Sequence, residues 1–486
     1  MDFNDVGHDP DRVATYGCPS MKEQKETMNC HIFELEETTF VYDVGSNELL
    51  AVEPEFAAVL PLFGTMSDRA MVKELKNEIL LSKVKACCGT IRSAQSEEGL
   101  FIARQPLLEP FAPRLAQPGV FDSGLGQLVL SVTERCNLRC RYCLHGADLA
   151  WVRDHGVKSM SFEVAAGAVE YFLDRSDPDK APVISFYGGE ALLEFELIEK
   201  MVDLARGHAR GDEVQFAIDT NGVLLDDRAI DLAVREKMFL QISLDGPRDI
   251  HDRYRKGVEG AGTFGMVMAG IDWVLTHDPS AAERMTFVST LAPPVDLAAV
   301  AGFFAEFPPF VRHGISKQPN VTVNFANLRG QDWPLVDETV EPTPDQLDRV
   351  QEEYLAAVAA GRREELSPVV RALFEPDLIR FYHRARGPLG DKFTPGGNCR
   401  PGRRNLHVTV DGRFQPCERT GDLLELGDLE TGIRQTAVRG LQKKFFEAVH
   451  DRCGECFALR MCGVCFAAQT ENADPANDTF PVPEAV

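Results

Sequence analysis

Residues 127–146 read QLVLSVTERCNLRCRYCLHG, and the fold turns on this stretch. The run QLVLSV is a short β-rich segment, and directly after it Cys136, Cys140 and Cys143 fall at spacings of four and three residues in one tight loop. Three thiols so placed can meet one face of an iron–sulfur cubane and leave the fourth iron without a protein ligand. The alternatives are a zinc loop or three unrelated thiols.

Outward from this loop the pattern repeats as strand, loop, helix. Strands are expected at Gln127 to Val132, Val183 to Tyr187, Gln215 to Thr220, Leu240 to Leu244, Thr286 to Thr290 and Val321 to Phe325. Ser161 reads as the N-cap of a helix with Val164, Ala165, Ala168, Val169 and Phe172 on one face; Leu197, Ile198, Met201, Val202 and Ala205 mark another. Such a series implies a parallel sheet covered by helices, with the site at the C-terminal ends of the strands.

Before the loop, His31 to Leu35, Phe40 to Val44 and Leu49 to Val52 read as short strands with a turn at Gly45 to Asn47. Pro54 opens a helical segment, Asp68 to Lys83 is expected to be one amphipathic helix, and LLEPFAPRLAQPG reads as a linker. Beyond the barrel, residues 342 to 384 look helical, with Leu347, Val350, Tyr354, Leu355 and Val358 at helical spacing. The tail from Gly396 to Val486 has too few periodic runs for a large core of its own.

The chain has 486 residues, enough for two to four domains, and an ordinary soluble composition with 26% charged residues. Its net charge of −24 argues against nucleic-acid and anionic-membrane partners. The opening MDFNDVGHDPDRV has no signal-peptide pattern, so a cytoplasmic protein is expected, where clustered cysteines bind metal more often than one another. Of 13 cysteines, Cys18, Cys30, Cys87 and Cys88 read as ordinary thiols. Cys453, Cys456, Cys462 and Cys465 form two Cys-x2-Cys pairs, preceded by Cys399 and Cys417; these suit zinc or iron–sulfur clusters alike.

Cys136, Cys140 and Cys143, with Tyr142 before the last, resemble the Cys-x3-Cys-x2-Cys signature of the radical S-adenosylmethionine (SAM) enzymes. The resemblance implies a four-iron cluster whose free iron chelates SAM. It also implies that Gly188, Gly189 and Glu190 after the second strand meet the SAM amino group, and that Ser243 and Asp245 after the fourth meet its ribose and carboxylate. Thr220 and Asn221 after the third strand are compatible lining residues. The C-terminal layout is similar to the SPASM extension of that family. On that resemblance Cys399, Cys417 and Cys465 would serve a first auxiliary four-iron cluster and Cys453, Cys456 and Cys462 a second. The final pair is spaced x2 where x3 is common, and no cysteine follows Cys465, so one auxiliary cluster or a zinc site also fits.

The three strands and helices near the N-terminus look like the PqqD-like element of peptide maturases, which adds a leader peptide to its sheet edge. The expected fold class is therefore α/β, a partial (β/α)6 radical SAM barrel with an N-terminal winged-helix-like α+β domain and a C-terminal Cys-rich SPASM domain. The expected boundaries are an extension at 1–30, the PqqD-like domain at 31–110, the barrel at 125–340, a helical bridge at 341–395 and the SPASM domain at 396–486.

What these resemblances imply is a maturase that crosslinks a ribosomally made precursor peptide, a cysteine thioether to carbon in first place, with flavodoxin or ferredoxin as external one-electron reductant. Its rivals are oxidation of a protein Ser or Cys side chain, as in anaerobic sulfatase maturation, and a non-catalytic iron–sulfur protein. His145 and His407 read as hydrogen-bond partners, and Tyr187, Asp219 and Arg312 as cavity residues by position. No general base is named.

Overall fold

The computed structural model describes residues 30–463, apart from residues 36, 77, 103–105, 113–114, 116, 144, 146–154, 327–343, 396–399, 421–423 and 455. Cys18, Cys399 and Cys465 lie outside the described residues. The chain divides into two compact units, one of residues 1–117, 380–399 and 439–486, the other of residues 118–379 and 400–438.

In the first unit, β1 (Cys30–Leu35), β2 (Thr38–Asp43) and β3 (Glu48–Val52) form an antiparallel sheet in that order. The turn after β2 is built on the buried Asp43 carboxylate, which accepts from the Ser46 hydroxyl at 2.6 Å and from the amides of Ser46 and Phe101. Three helices follow, α1 (Pro54–Val59), α2 (Asp68–Glu74) and α3 (Leu81–Ser93). The single helix expected over 68–83 is broken: Lys76 has φ +52°, and Leu80 is extended as the cap of α3.

Central strand β2 is buried on both faces. Val41 joins Val59, Met71, Val84, Cys88 and Ile91 beneath the helices. Tyr42 points the other way and, with Val44, packs on Leu389 and Leu459. The expected linker contributes β4 (Leu107–Leu108), which pairs in parallel with β11 (Lys392–Phe393). Arg460 ties the far segments together by donating to the carbonyls of Gly45 at 3.3 Å, Ala385 at 3.1 Å and Gly387 at 2.7 Å.

In the second unit, β5 (Gln127–Thr133), β6 (Val183–Gly188), β7 (Gln215–Thr220), β8 (Phe239–Ser243), β9 (Met285–Leu291) and β10 (Asn320–Phe325) are parallel and neighbour one another in chain order. The covering helices include α4 (Phe162–Arg175), α5 (Phe195–Arg206), α6 (Asp227–Arg235), α7 (Arg248–Tyr254) and α8 (Phe264–His277), followed by α9 (Leu297–Ala305) and α10 (Pro308–Arg312). Ser161 caps α4 by accepting from the Val164 amide at 3.3 Å. Leu128, Leu130, Ile184, Phe186, Phe216 and Ile242 point outward beneath these helices, each fully or almost fully buried, worth about 1.5–3 kcal/mol apiece.

Two expectations change here. The sheet does not stop at six strands: β12 (Asn405–Val408) pairs in parallel with β5, and β13 (Arg413–Gln415), β14 (Gly427–Asp428) and β15 (Gly432–Ile433) continue it to ten. Part of the supposed Cys-rich tail therefore completes the barrel sheet, because NLHV alternates and buries Leu406 and Val408. In the bridge, α11 (Pro344–Ala359) and α12 (Pro368–Tyr382) meet through Tyr354, Ala357, Leu366 and Val370, while Leu355 and Val358 face solvent. The last helix among the described residues, α13 (Gln435–Cys453), ends at the first cysteine of the C-terminal group.

Candidate active site

The C-terminal ends of β5 to β8 bring together Cys136, Cys140, Cys143, Tyr142, Gly188, Gly189, Glu190, Thr220, Asn221, Ser243 and Asp245. The cysteine loop starts within three residues of the end of β5 and is held on two sides. The amides of Gly189 and Glu190 donate to the carbonyls of Thr133 and Arg135, each at 2.9 Å, and a Cβ at either Gly188 or Gly189 would collide with that same backbone. The two glycines thus let β6 pass against the loop entry. On the other side, the amide of Arg139 donates to Lys256 at 2.8 Å and that of Arg141 to Tyr254 at 3.3 Å.

Glu190 is buried and brackets the ends of β6 and β7. Its carboxylate accepts from the Thr220 hydroxyl at 2.7 Å, the Asn221 amide at 2.7 Å and the Leu192 amide at 3.1 Å. Burial raises its pKa and these donors oppose the rise. The Asn221 side chain donates to Asn137 at 2.7 Å and lies 4.0 Å from the Cys136 sulfur. Ser243 ends β8, half-buried, with no side-chain hydrogen bond among the described residues. Asp245 is buried and fully engaged: Oδ1 accepts from Arg255 Nε and the Thr290 amide, each at 3.0 Å, and Oδ2 accepts from the Tyr142 hydroxyl. His251, also buried, accepts from the Asp245 amide through Nδ1, and burial pushes its pKa down to about 4.

The thiols fit an iron–sulfur cluster by their surroundings. Burial pushes the Cys140 thiol up to about 12; the Arg255 guanidinium opposes this, and the neighbouring Cys143 and Cys136 thiols add to it. Cys136 is raised by burial as well, against the Leu138 amide, which donates to its sulfur at 3.4 Å. Thiols this crowded and dry ionise only with a compensating cation, and a bound metal supplies one. Among the described residues no three His, Cys, Asp or Glu side chains converge on a single-ion site. A polynuclear cluster does not require that convergence, because its thiolates bind different irons.

Below this rim lies a cavity of about 250 Å³, lined by the strand residues Gln127, Ser185, Tyr187, Asp219 and Gln241 and by Glu418 from the turn after β13. Polar residues bridge adjacent strands across it. Gln127 donates to Ser185 at 2.7 Å and Gln241 donates to Asp219; outside the lining, Ser131 bonds His407 at 2.8 Å between β5 and β12. Burial, then the charge of Glu418, pushes Asp219 up to about 7. Of the three cavity residues expected by position, Tyr187 and Asp219 line the lumen. Arg312 does not: it sits on α10 and pairs with Asp272 of α8 on the outside. Arg255, His251, Gln241 and Glu418 escaped the sequence reading. Only Gln241 had a visible signal, the polar member of an alternating strand.

The auxiliary cysteines are placed less completely. Cys417 follows β13, and its carbonyl accepts from the Thr420 amide and hydroxyl. Cys453, Cys456 and Cys462 belong to the other unit, where the Cys456 amide donates to the Cys453 carbonyl at 3.4 Å. Among the described residues no helix is long and apolar enough to cross a membrane.

Residues 130–281 match the family model described as the radical SAM superfamily. The chain is 35% identical over 136 residues to an uncharacterized protein of Methanocaldococcus jannaschii, covering 28% of this chain and 44% of that one. It is 28% identical over 158 residues to the serine-type anaerobic sulfatase-maturating enzyme of Bacteroides thetaiotaomicron, covering 32% of this chain and 38% of that enzyme. The match thus spans less than half the length of these relatives. Among solved structures, native anSMEcpe with bound AdoMet and Cp18Cys peptide superposes with a TM-score of 0.52 at 19% identity, over 74% of this chain and 93% of that one. Fold, ordered strand ends and family match agree that the chain carries a radical SAM domain.

Proposed function

We propose that the protein is a radical SAM maturase that crosslinks a ribosomally made precursor peptide, joining a cysteine sulfur to carbon. The observation that carries this reading is the ordered set at four consecutive strand ends, with three crowded thiols above a polar cavity large enough for a substrate side chain. Cys136, Cys140 and Cys143 would hold the SAM-binding cluster, and Glu190, Asn221 and Ser243 would face SAM. When bound, SAM and its cluster supply a 5′-deoxyadenosyl radical that removes hydrogen from carbon. The chain's own residues orient the loop, keep the rim dry and offer carboxyl groups in the lumen.

Peptide recognition is assigned to the three-stranded sheet, read as a PqqD-like element. Among the described residues β1 and β3 each pair with one strand only, so both edges can accept an added strand. A peptide partner is consistent with the peptide-bound anSMEcpe structure. The auxiliary clusters on Cys399, Cys417 and Cys465 and on Cys453, Cys456 and Cys462 are part of the same proposal, as are a flavodoxin- or ferredoxin-type reductant and a cytoplasmic setting.

Anaerobic reaction of the reconstituted full chain with SAM, reductant and precursor peptide should give a product lighter by two hydrogens per crosslink, with fragmentation locating a sulfur–carbon bond. Unchanged peptide mass with normal SAM cleavage would sink the reading for that peptide. The relatedness to sulfatase-maturating enzymes favours a second reading, oxidation of a Ser or Cys side chain. Here a short peptide without a leader should react as well as the full precursor, whereas a leader-dependent maturase should lose the reaction.

A further inference from the structure

One cation beside the cysteine loop has no evident reason to be there for the fold alone. Arg255, the residue after α7, is only 7% exposed. Its Nε donates to Asp245 Oδ1 at 3.0 Å and its Nη1 lies 4.0 Å from the Cys140 sulfur. Its guanidinium sits over the Tyr142 ring, 5.3 Å from the centre, and the Tyr142 hydroxyl closes the circuit by donating to Asp245. The residues on either side of Arg255 carry the carbonyls that receive the loop amides of Arg139 and Arg141.

A buried ion pair is poor value as a source of stability, because desolvation cancels most of its attraction. Its orientation is more informative. The guanidinium lies between the carboxylate and the Cys140 sulfur, and the carboxylate is held by the Thr290 amide and the Tyr142 hydroxyl.

We propose that the Arg255–Asp245 pair is an electrostatic clamp on the Cys140 corner of the cluster, with Arg255 as a positioning residue that makes the cluster easier to reduce. The proposal rests on reading the three thiols as cluster ligands. Reduction by the external one-electron donor adds one negative charge to the cluster and its thiolates, and no bond is made or broken. A fixed cation beside a ligand sulfur, in a dry site, favours the more negative state.

The test is an anaerobic redox titration of the full-length, iron- and sulfide-reconstituted protein, following the reduced-cluster EPR signal that is lost when Cys136, Cys140 and Cys143 are all changed to Ala. At the potential where the wild-type cluster is half reduced, Arg255→Gln should lower the ratio of reduced to oxidised cluster roughly tenfold. Arg255→Lys should restore most of it. Asp245→Asn should move the ratio the opposite way, because it leaves Arg255 uncompensated. Iron per chain shows that the cluster is present in each variant.

An unchanged ratio in Arg255→Gln at wild-type iron content would overturn the clamp. So would shifts of the same sign in Arg255→Gln and Asp245→Asn, which is what a merely disturbed loop produces. If Arg255→Gln does not retain iron, Arg255→Lys and Asp245→Asn must still differ in sign or size as stated. A wild-type chain with no signal dependent on the three cysteines would refute the cluster reading itself, a separate outcome.

Discussion

The two compact units are assembled by opposite rules. In the barrel unit, the cysteine loop, Glu190, Asn221, Asp245 and Arg255 come from consecutive strand ends between residues 133 and 255. In the other unit, Asn47 bonds Ala385 and Arg460 bonds Gly45, across 338 and 415 residues of chain. On the barrel side β5 to β10 repeat one local unit, to which β12 to β15 add from later in the chain, so its site residues fall in sequence order. The other side is built by closure, where a small sheet is completed by segments from the far end of the chain. Chemistry concentrated in a repeated unit tolerates changes elsewhere; a unit made by closure fails wherever its ties are cut.

The largest expected effect probes the barrel side. Cys140→Ala should abolish 5′-deoxyadenosine formation and remove one cluster's share of iron per chain, while hydrogen exchange in β1 to β3 stays unchanged. Protection lost in both units at once would break the division. Next comes Gly189→Ala, whose Cβ would meet the Arg135 carbonyl with backbone on both sides and little room to relax. It should cost about 1–3 kcal/mol in denaturant unfolding and lower iron loading, because the displaced backbone is the entry to the cysteine loop.

A smaller change sharpens the other side. Arg460→Ala removes the donor shared by the carbonyls of Gly45, Ala385 and Gly387 and should cost about 1–3 kcal/mol. Hydrogen exchange should rise at residues 42–49 and 385–389 and not in β5 to β9. Uniform loosening of β5 to β9 in this variant would mean that the units do not unfold separately.

The same contrast explains what was legible. Cys136, Cys140, Cys143 and the residues at four strand ends could be read because each motif lies a few residues from the strand that presents it. Arg255 could not, since nothing in HDRYRKG says that its side chain turns toward a sulfur contributed 115 residues earlier. β12 was missed because cysteine density drew the reading away from an alternating NLHV. Tyr42 reads as one more apolar strand residue, and only the fold shows it packing on Leu459. Local periodicity reports which face is buried; it does not name the partner.

The smallest expected effects set the lumen of the barrel sheet against its strand-end rim, through pH. Asp219 in the lumen is pushed up to about 7, so between pH 4 and 6.5 it holds a proton in the fold and not when unfolded. Its contribution to stability is complete below its ordinary value of 3.8 and is lost as pH rises toward 7. His251, on α7 against the Asp245 amide at the strand-end rim, is pushed down to about 4 from 6.5, so in the same window it holds a proton only when unfolded. Its contribution is complete above 6.5 and is lost as pH falls toward 4. The two slopes have opposite sign, each at most about 1.4 kcal/mol per pH unit for the one proton involved. Asp219→Asn should therefore make stability climb more steeply from pH 4.5 to 6.5, and His251→Gln should make it fall across the same interval, whatever either change does to stability at one pH. Parallel slopes in the two variants, measured by denaturant unfolding, would mean that the lumen carboxyl and the buried imidazole are not both held neutral by the fold across this window.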